Sequence, residues 1–228
     1  MKVEIWSDIM CPFCYIGKRR FEQALEQVGG QEQVEIEWKS FQLDPQLQYT
    51  PGQTVHDMLA EKKGWTVEYA KEVGNQVSGM AAQLGLEYDF DKAIPANTLD
   101  AHRFSHLAAK HGLQHIAEEK LFAAYFTEGK NVGDHETLIA IGKEIGLNET
   151  EVKEMLQSDT YKSAVHKDIS EGSSIGVRGV PFFVFNRQYA ISGAQPLEVF
   201  TQTFKKVQED EKTSGTVEGA VCTPEGDC

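Results

Sequence analysis

The chain has 228 residues, of which 40% are hydrophobic and 25% are charged, and its formal net charge at pH 7 is −13. This acidic balance excludes nucleic acids and anionic membrane surfaces as partners, because both would repel the protein, and no apolar run approaches the roughly 20 residues of a membrane-spanning helix. The length is more than one plain domain needs and less than two full domains need, so we expect one domain with a large insertion.

The opening residues, MKVEIWSD, alternate apolar and polar side chains and lack the apolar stretch of a secretory signal. We therefore predict a cytoplasmic protein. Structural disulfides are rare in that compartment, so a close pair of cysteines there is more often catalytic or metal-binding.

The first part of the chain predicts half of a βαβ unit. Residues 2–6 predict a strand with Val3 and Ile5 on one face. The apolar spacing that follows the cysteines predicts a helix that ends at Gly29. Residues 34–41 alternate cleanly and predict a second strand, whose outward residues are Glu35, Glu37 and Lys39.

From about residue 53 to 175 the apolar spacing is helical throughout and predicts seven helices, several of which end at glycine. Asn97 is the expected N-cap of the third, with Asp100 at the N3 position. Asn148 and Glu151 form a capping-box-like pair before the sixth.

The β pattern then returns. Residues 180–185, VPFFVF, form a continuous apolar run, as expected of a strand that is covered on both faces. Asn186 and Arg187 suit a tight hairpin turn into a return strand, because asparagine tolerates positive φ. A helix is predicted over residues 196–208, with proline at its start.

This order predicts an α/β domain split by an all-helical insertion. Residues 1–48 and 176–211 form the α/β domain, residues 49–175 the insertion, and residues 212–228 a polar tail that carries Cys222 and Cys228. The alternative is two independent domains in series. It is disfavoured because the strand at 180–185 and its hairpin alone would make too small a sheet.

The stretch DIMCPFCYIG places Cys11 and Cys14 at the predicted start of the first helix. A Cys-x-x-Cys beside βαβ elements indicates a thioredoxin-like redox motif, because the positive end of a helix favours thiolate over thiol. Pro12 is tolerated in the first turn. We expect Cys11, on the exposed side of that turn, to be the attacking sulfur, and the more buried Cys14 to be the resolving sulfur.

Two other interpretations of the cysteines stay open. A zinc site would need two further ligands, which Cys222 and Cys228 offer, but the five residues between them are a wider gap than usual. The pair could also be inert core residues. We predict no metal. The histidine pairs His102/His106 and His111/His115 have metal-binding spacing, but we expect them to be solvated or to lie at the edge of the core.

Five stretches of the chain carry a family resemblance: SDIMCPFCYIG, WKSFQLDP, NTLDAHR, YFTEGKNVGD and GVRGVPFFVFNRQYAISGAQP. Together they resemble the FrnE-type branch of the DsbA oxidoreductase family. The resemblance implies a thioredoxin fold with a helical insertion. It also implies a cis bond between Val180 and Pro181, opposite the cysteines, where the backbone of Val180 would pair with an extended substrate.

The resemblance suggests further site residues. Glu4 resembles the acidic residue that family members place beneath the active helix, where burial would suit it to accept the proton of Cys14. A solvated Glu4 is the alternative, and Asp8 is a second candidate for the same role. Asn97 and Arg103 would line a groove between the insertion and the sheet. Phe13 stands beside Pro12 where relatives place a histidine or tryptophan.

We predict a thiol-disulfide oxidoreductase or isomerase that acts on cysteine-containing proteins, including those with disulfides formed under oxidative stress. It needs no cofactor; glutathione, another low-molecular-weight thiol or a thioredoxin-like system would recycle it. Cys222 and Cys228 would relay disulfides to or from Cys11. An accessory disulfide in the tail with no part in turnover is the alternative.

Two other functions stay open. The glutathione-dependent hydroxychromene-carboxylate isomerases and kappa-class transferases share the implied architecture but typically carry serine in place of the first cysteine. A helical insertion with an apolar groove would also suit a non-catalytic binding module.

Overall fold

The computed structural model describes residues 1–29 and 34–215, with side chains described to residue 213. Within these ranges four strands form one sheet in the order β2-β1-β3-β4. β1 is parallel to β2 and antiparallel to β3, and β3 is antiparallel to β4. The strands are β1 (Lys2–Ser7), β2 (Glu35–Ser40), β3 (Phe182–Phe185) and β4 (Tyr189–Ser192). Strands from the two ends of the chain thus share one sheet, as the sequence predicts.

Two helices, α1 (Pro12–Val28) and α9 (Leu197–Gly215), pack together through a cluster of phenylalanines. Phe21 of α1 lies at its centre, with ring centroids 5.7 Å from Phe183 of β3 and 5.3 Å from Phe204 of α9. The rings of Phe183 and Phe204 are both fully buried. Burial of such a side chain contributes about 2–3 kcal/mol to the stability of the fold. α9 continues to Gly215, which is beyond residue 208, the predicted end of this helix.

Seven helices lie between β2 and β3, as predicted. They are α2 (Val55–Lys63), α3 (Val67–Ala82), α4 (Leu99–Lys110), α5 (Gln114–Phe126), α6 (His135–Glu144), α7 (Glu149–Leu156) and α8 (Lys162–Ser174). Asn148 caps α7 as predicted, accepting hydrogen bonds from two backbone N–H groups. Thr98, not Asn97, is the N-cap of α4, because Asn97 lies one residue outside it and accepts from Leu99 N. The division into a sheet domain and an inserted domain stays a prediction.

Helix α8 covers the second face of the sheet, and this changes the environment of β2. Trp6 is fully buried and its indole N–H donates to the Asp168 carbonyl, 2.9 Å away. The side chain of Lys39 is only 11% exposed, and its ammonium lies 3.4 Å from the Asp168 carboxylate. Lys39 thus lies on the outward face of β2, as predicted, but α8 covers that face. The alternation of a single strand does not reveal what packs against its polar face.

The hairpin between β3 and β4 is as predicted. Asn186 and Arg187 have φ angles of 48° and 56°, so both central residues are left-handed. This is the conformation that a two-residue turn needs to match the twist of its strands. The turn brings Arg187 back over β1, where it contacts Glu4.

Among the helices of the described ranges, none combines the length and the apolar character that crossing a membrane requires.

Candidate active site

The two cysteines of the Cys-x-x-Cys stretch lie at the beginning of α1, as predicted. Cys11 is the N-cap, with extended backbone angles, and Pro12 is in the first turn, where its missing N–H is not needed. Cys11 N donates to the Asp8 carbonyl and Cys14 N donates to the Cys11 carbonyl, each over 3.0 Å. Both cysteines are free thiols. The motif therefore sits at the positive end of the helix, where negative charge on sulfur is favoured.

Cys11 is not on the exposed surface, contrary to the prediction. Only 4% of it is exposed, against 1% of Cys14. Cys11 instead lines a cavity of about 430 Å³, and this cavity is bordered by residues far away in the sequence. Cys11 is therefore reached through the cavity and not across an open face of the helix.

The loop before β3 closes over Cys11. The Val180–Pro181 peptide bond is cis, as the resemblance implies. The thiol of Cys11 donates to the Val180 carbonyl oxygen, 3.5 Å away. Gly17 lets α1 approach this loop, because a Cβ at that position would lie 3.0 Å from Pro181 Cγ and 3.2 Å from Phe183 Cζ. The predicted site residues of α1 and of this loop are thus in contact.

Burial determines the protonation state of the Cys14 thiol. It raises the pKa of the Cys14 thiol well above its usual range, and the hydrogen bond and charge of Cys11 raise it further. The hydroxyl of Ser7 and the backbone of Asp8 oppose this shift. Cys14 is therefore protonated at neutral pH.

Tyr88 is a site residue that the sequence did not indicate. Its hydroxyl donates to the Pro12 carbonyl over 2.7 Å. Its ring stacks on Phe126 and Tyr15, with centroids 4.6 Å and 6.1 Å away. Tyr88 thereby ties the first turn of α1 to the helical insertion.

The cavity beside Cys11 has apolar walls. Phe13 and Leu43 also line it, and they are 41% and 49% exposed, so they lie at its mouth. Its charged lining comes from Asp44, Lys62 and Lys63. Its apolar walls come mainly from α2 and α3 and include Met58, Leu59, Val73, Val77 and Phe90.

Glu4 is buried, so the alternative of a solvated strand residue is wrong, but it lies away from the cysteines. Its carboxylate is paired with the Arg187 guanidinium, and Lys39 Nζ lies 4.0 Å away. Successive strand residues face opposite sides of a sheet, and the neighbours Val3 and Ile5 belong to the same core as the cysteines. Glu4 therefore faces α8 and does not fit the role of proton acceptor for Cys14.

Asp8 is fully buried and holds the segment after β2. Its Oδ2 accepts from Leu43 N over 2.7 Å, and its Oδ1 lies 3.4 Å from His102 Nε2. Burial opposes a charge on His102, but the carboxylate of Asp8 prevails and raises the pKa of His102. His106 lies 3.1 Å from Asp168. These histidines are core and core-edge residues, and the described ranges hold no group of three or more potential metal ligands.

Asn97 and Arg103 do not border the cavity beside Cys11. Asn97 Nδ2 donates to the carbonyls of Pro45 and Leu47, 3.1 Å and 3.2 Å away. Arg103 is buried and donates to the Thr160 carbonyl over 2.8 Å; it also binds the carbonyls of Met155 and Ser158. The remaining predicted pair, Cys222 and Cys228, lies outside the described residues.

A partly buried ion cluster fixes α1 against α5. The Lys18 ammonium, 2% exposed, lies 2.5 Å from Glu22 and 2.6 Å from Glu119. Glu119 also accepts from the Tyr15 hydroxyl over 2.5 Å and binds Arg19. Because a buried charge is costly when it is left unpaired, this cluster sets where the first turns of α1 can lie.

The cluster predicts a specific loss of stability in acid. Burial alone would raise the pKa of Glu22, but hydrogen bonds from His115 and Lys18 and the charge of Lys18 hold that pKa at about 2. Ionised Glu22 therefore contributes roughly 2–3 kcal/mol to the free energy of unfolding at pH values above the ordinary carboxyl pKa. This contribution is lost as the pH falls from about 4.5 toward 2. We expect Glu22→Gln to lower the free energy of unfolding more at about pH 6 than at about pH 3, measured by urea titration.

Glu26→Gln is the matched control for this prediction. Glu26 is exposed on the same helix and forms no ion pair within the described ranges. Its substitution should change stability little at either pH. An equal loss for Glu22→Gln at both pH values would contradict the linkage.

Comparison with known proteins agrees with this fold. A family model described as a DSBA-like thioredoxin domain matches residues 2–205. The crystal structure of a probable DsbA oxidoreductase, SCO1869 from Streptomyces coelicolor, is 36% identical and superposes with a TM-score of 0.87, over 99% of this chain and 97% of that one.

Two solved structures of lower identity share the fold. A 2-hydroxychromene-2-carboxylate isomerase is 12% identical with a TM-score of 0.67, over 94% of this chain and 99% of that one. The cytosolic disulfide reductase DsbM from Pseudomonas aeruginosa, solved with GSH, is 14% identical with a TM-score of 0.61, over 94% and 100%. On the family match, this chain belongs to the DSBA-like thioredoxin domain family, whose fold is the thioredoxin fold with a helical insertion that the motifs imply.

Proposed function

We propose that the chain is a thiol-disulfide oxidoreductase or isomerase that acts on protein disulfides through Cys11 and Cys14. The observation that carries this proposal is the pair of free thiols at the start of α1, with Cys11 Sγ 3.5 Å from the Val180 carbonyl. The helix start favours Cys11 as the attacking thiolate. The raised pKa of Cys14 suits it to stay protonated until a mixed disulfide has formed.

In the reductive direction, the Cys11 thiolate attacks one sulfur of the substrate disulfide. A bond forms between that sulfur and Cys11, the substrate S–S bond breaks, and the second substrate sulfur leaves as a thiolate. Cys14 then loses its proton and attacks Cys11, forming the Cys11–Cys14 disulfide and releasing the first substrate sulfur. The substrate gains two electrons and two protons, and the enzyme loses the same. In isomerisation, another substrate thiol attacks the mixed disulfide in place of Cys14.

The backbone of Val180 is the proposed docking point for substrate. Its carbonyl accepts from the Cys11 thiol in the resting protein. Once Cys11 has lost its proton, this carbonyl is free to accept from an N–H group of an extended substrate chain. Phe13 and Leu43, exposed at the mouth of the cavity, supply apolar surface beside it.

The partners follow from the same proposal. We propose cytoplasmic, cysteine-containing proteins as substrates, and glutathione, another small thiol or a thioredoxin-like system as the recycling partner. The support for glutathione is that DsbM, which shares the fold, was solved with GSH. The relay through Cys222 and Cys228 and the placement in the FrnE-type branch remain predictions.

A glutathione-dependent isomerase or transferase is the second candidate, and the cavity favours it. An apolar space of about 430 Å³ beside Cys11 is within the size range of small-molecule sites, roughly 300–1,000 Å³. The chemistry separates the two functions. Disulfide exchange consumes both thiols, whereas addition of glutathione to an organic substrate leaves Cys14 without a role.

A redox titration tests the proposal. The full chain is equilibrated with mixtures of reduced and oxidised glutathione, the free thiols are alkylated, and peptides are quantified by mass spectrometry. We expect a single two-electron transition, in which Cys11 and Cys14 form a disulfide with each other and neither cysteine keeps a bound glutathione. A transition unchanged in the Cys222→Ser, Cys228→Ser variant would count against the relay. Failure of Cys11 and Cys14 to join under any mixture would contradict disulfide exchange and favour the second candidate.

A further inference from the structure

The cavity beside Cys11 contains a polar group that the exchange chemistry does not use. Tyr125, on α5, lines the cavity and is 1% exposed as a residue. Its hydroxyl forms no hydrogen bond to another residue of the described ranges. Asp8 Oδ1 and His102 Nε2 are polar atoms that lack a partner and are fully enclosed by protein. The Tyr125 hydroxyl also lacks a partner, but it is not fully enclosed. An unpartnered hydroxyl that is not fully enclosed, on a side chain that borders the cavity, has the cavity as its open side.

The surroundings of Tyr125 keep it a hydrogen-bond donor. Burial raises the pKa of its phenol well above the usual range, and the negative charge of Asp8 raises it further. The group is therefore neutral across the physiological range and carries its proton. A buried polar group without a partner costs free energy, so a ligand that supplies an acceptor oxygen at this point gains more than the same oxygen would gain in water.

The walls around Tyr125 define the rest of the ligand. Val77 and Phe90 are among the apolar side chains that border the same space, and Cys11 borders it as well. A ligand whose sulfur reaches Cys11 must fill this space with apolar groups, because the surrounding walls are apolar. One oxygen acceptor on such a ligand can meet the hydroxyl of Tyr125.

We propose that Tyr125 is a specificity-determining residue, which selects substrates whose reacting sulfur is carried on an apolar, preferably aromatic, group bearing a hydrogen-bond acceptor oxygen. This inference rests on the proposed function, because it requires Cys11 to attack a substrate sulfur from the cavity. It adds a substrate class: disulfides with a large apolar group next to the sulfur, on a flexible chain or a small molecule that can enter the cavity.

The test uses four mixed disulfides of 2-nitro-5-thiobenzoate: one with benzyl mercaptan, and three with its ortho, meta and para carboxamides. The Cys11 thiolate attacks the benzylic sulfur, the coloured thiobenzoate leaves as a thiolate, and Cys14 then displaces the benzylic thiol while the Cys11–Cys14 disulfide forms. The rate of colour release by the reduced full chain gives a second-order rate constant for each probe. The ratio of each carboxamide to the parent probe is compared between the unsubstituted protein and Tyr125→Phe.

We expect Tyr125→Phe to lower this ratio about 3- to 10-fold for at least one carboxamide position, the range of one net hydrogen bond. Tyr69→Phe removes a hydroxyl from a half-exposed ring on α3 that does not border the cavity, and it should leave every ratio unchanged. Ratios that Tyr125→Phe leaves unchanged at all three positions would overturn the role of Tyr125, while colour release itself would still support the proposed function. Absence of colour release from every probe with the unsubstituted protein would overturn both.

Discussion

Cys14→Ser is expected to trap the enzyme on its substrate, whereas Cys11→Ser is expected to abolish the reaction. In the proposed exchange Cys14 releases the mixed disulfide, and a serine hydroxyl cannot take its place because it cannot form a disulfide. Cys11 is the sulfur that borders the cavity, so without it no substrate sulfur meets a thiolate. In dithiothreitol-driven reduction of insulin, Cys11→Ser should fall to the rate of the reductant alone. When it is first reduced, freed of dithiothreitol and then mixed with insulin, Cys14→Ser should accumulate a covalent adduct with an insulin chain on non-reducing gels, because no other dithiol is present to cleave the mixed disulfide.

The two variants are matched controls for each other, since each replaces one buried cysteine by the same residue. Serine is close in size to cysteine, so both should remain folded, which circular dichroism and thermal melting check. An adduct that forms through Cys14 in the Cys11→Ser protein would reverse the assigned roles. Equal residual turnover in the two variants would show that neither thiol acts alone as the nucleophile and would contradict the two-step exchange.

The local features of the site could be predicted from the sequence. The apolar alternation of β1 and the helical spacing after Cys14 place the cysteines at a helix start, and Asn186 predicts the hairpin turn. Each of these features depends on residues that are close in sequence, so backbone geometry and residue propensity determine the local structure. The cis bond at Val180–Pro181 came from the family resemblance, since the residues alone favour a trans bond.

The burial of Cys11 could not be predicted in this way, because the cavity walls come from α2 and α3, about 50 residues further along the chain, and only their packing hides the sulfur. Tyr88 and Tyr125 were missed for the same reason, since each meets the site through a long-range contact. Glu4 is different. Val3 and Ile5 already indicated which face of β1 is apolar, and alternation put Glu4 on the other face. The sequence alone therefore places Glu4 away from the cysteines, whereas the family resemblance places it beneath them.

Gly17→Val is expected to separate α1 from the loop that carries the cis bond, and to impair both stability and exchange. A Cβ at Gly17 would lie 3.0 Å from Pro181 and 3.2 Å from Phe183, and both of these side chains are buried. Valine adds two methyl groups beyond that Cβ. Overpacking of this kind costs about 2–3 kcal/mol, measurable as a lower free energy of unfolding in urea. The loop must shift away from Cys11, so exchange should slow on the order of 10- to 100-fold with insulin.

Gly79→Val provides the comparison that isolates this contact. Gly79 is exposed on α3, and a Cβ there would meet nothing within 4 Å. The same substitution on an open helical position should change stability by less than about 1 kcal/mol, since the helix propensities of glycine and valine differ little. Normal exchange by folded Gly17→Val protein would mean that the spacing between α1 and the Val180 loop does not matter to the chemistry. A deficit in exchange that exceeds the loss of folded protein would instead tie the reaction to the distance between Cys11 and Val180, because that distance is what the added methyl groups change.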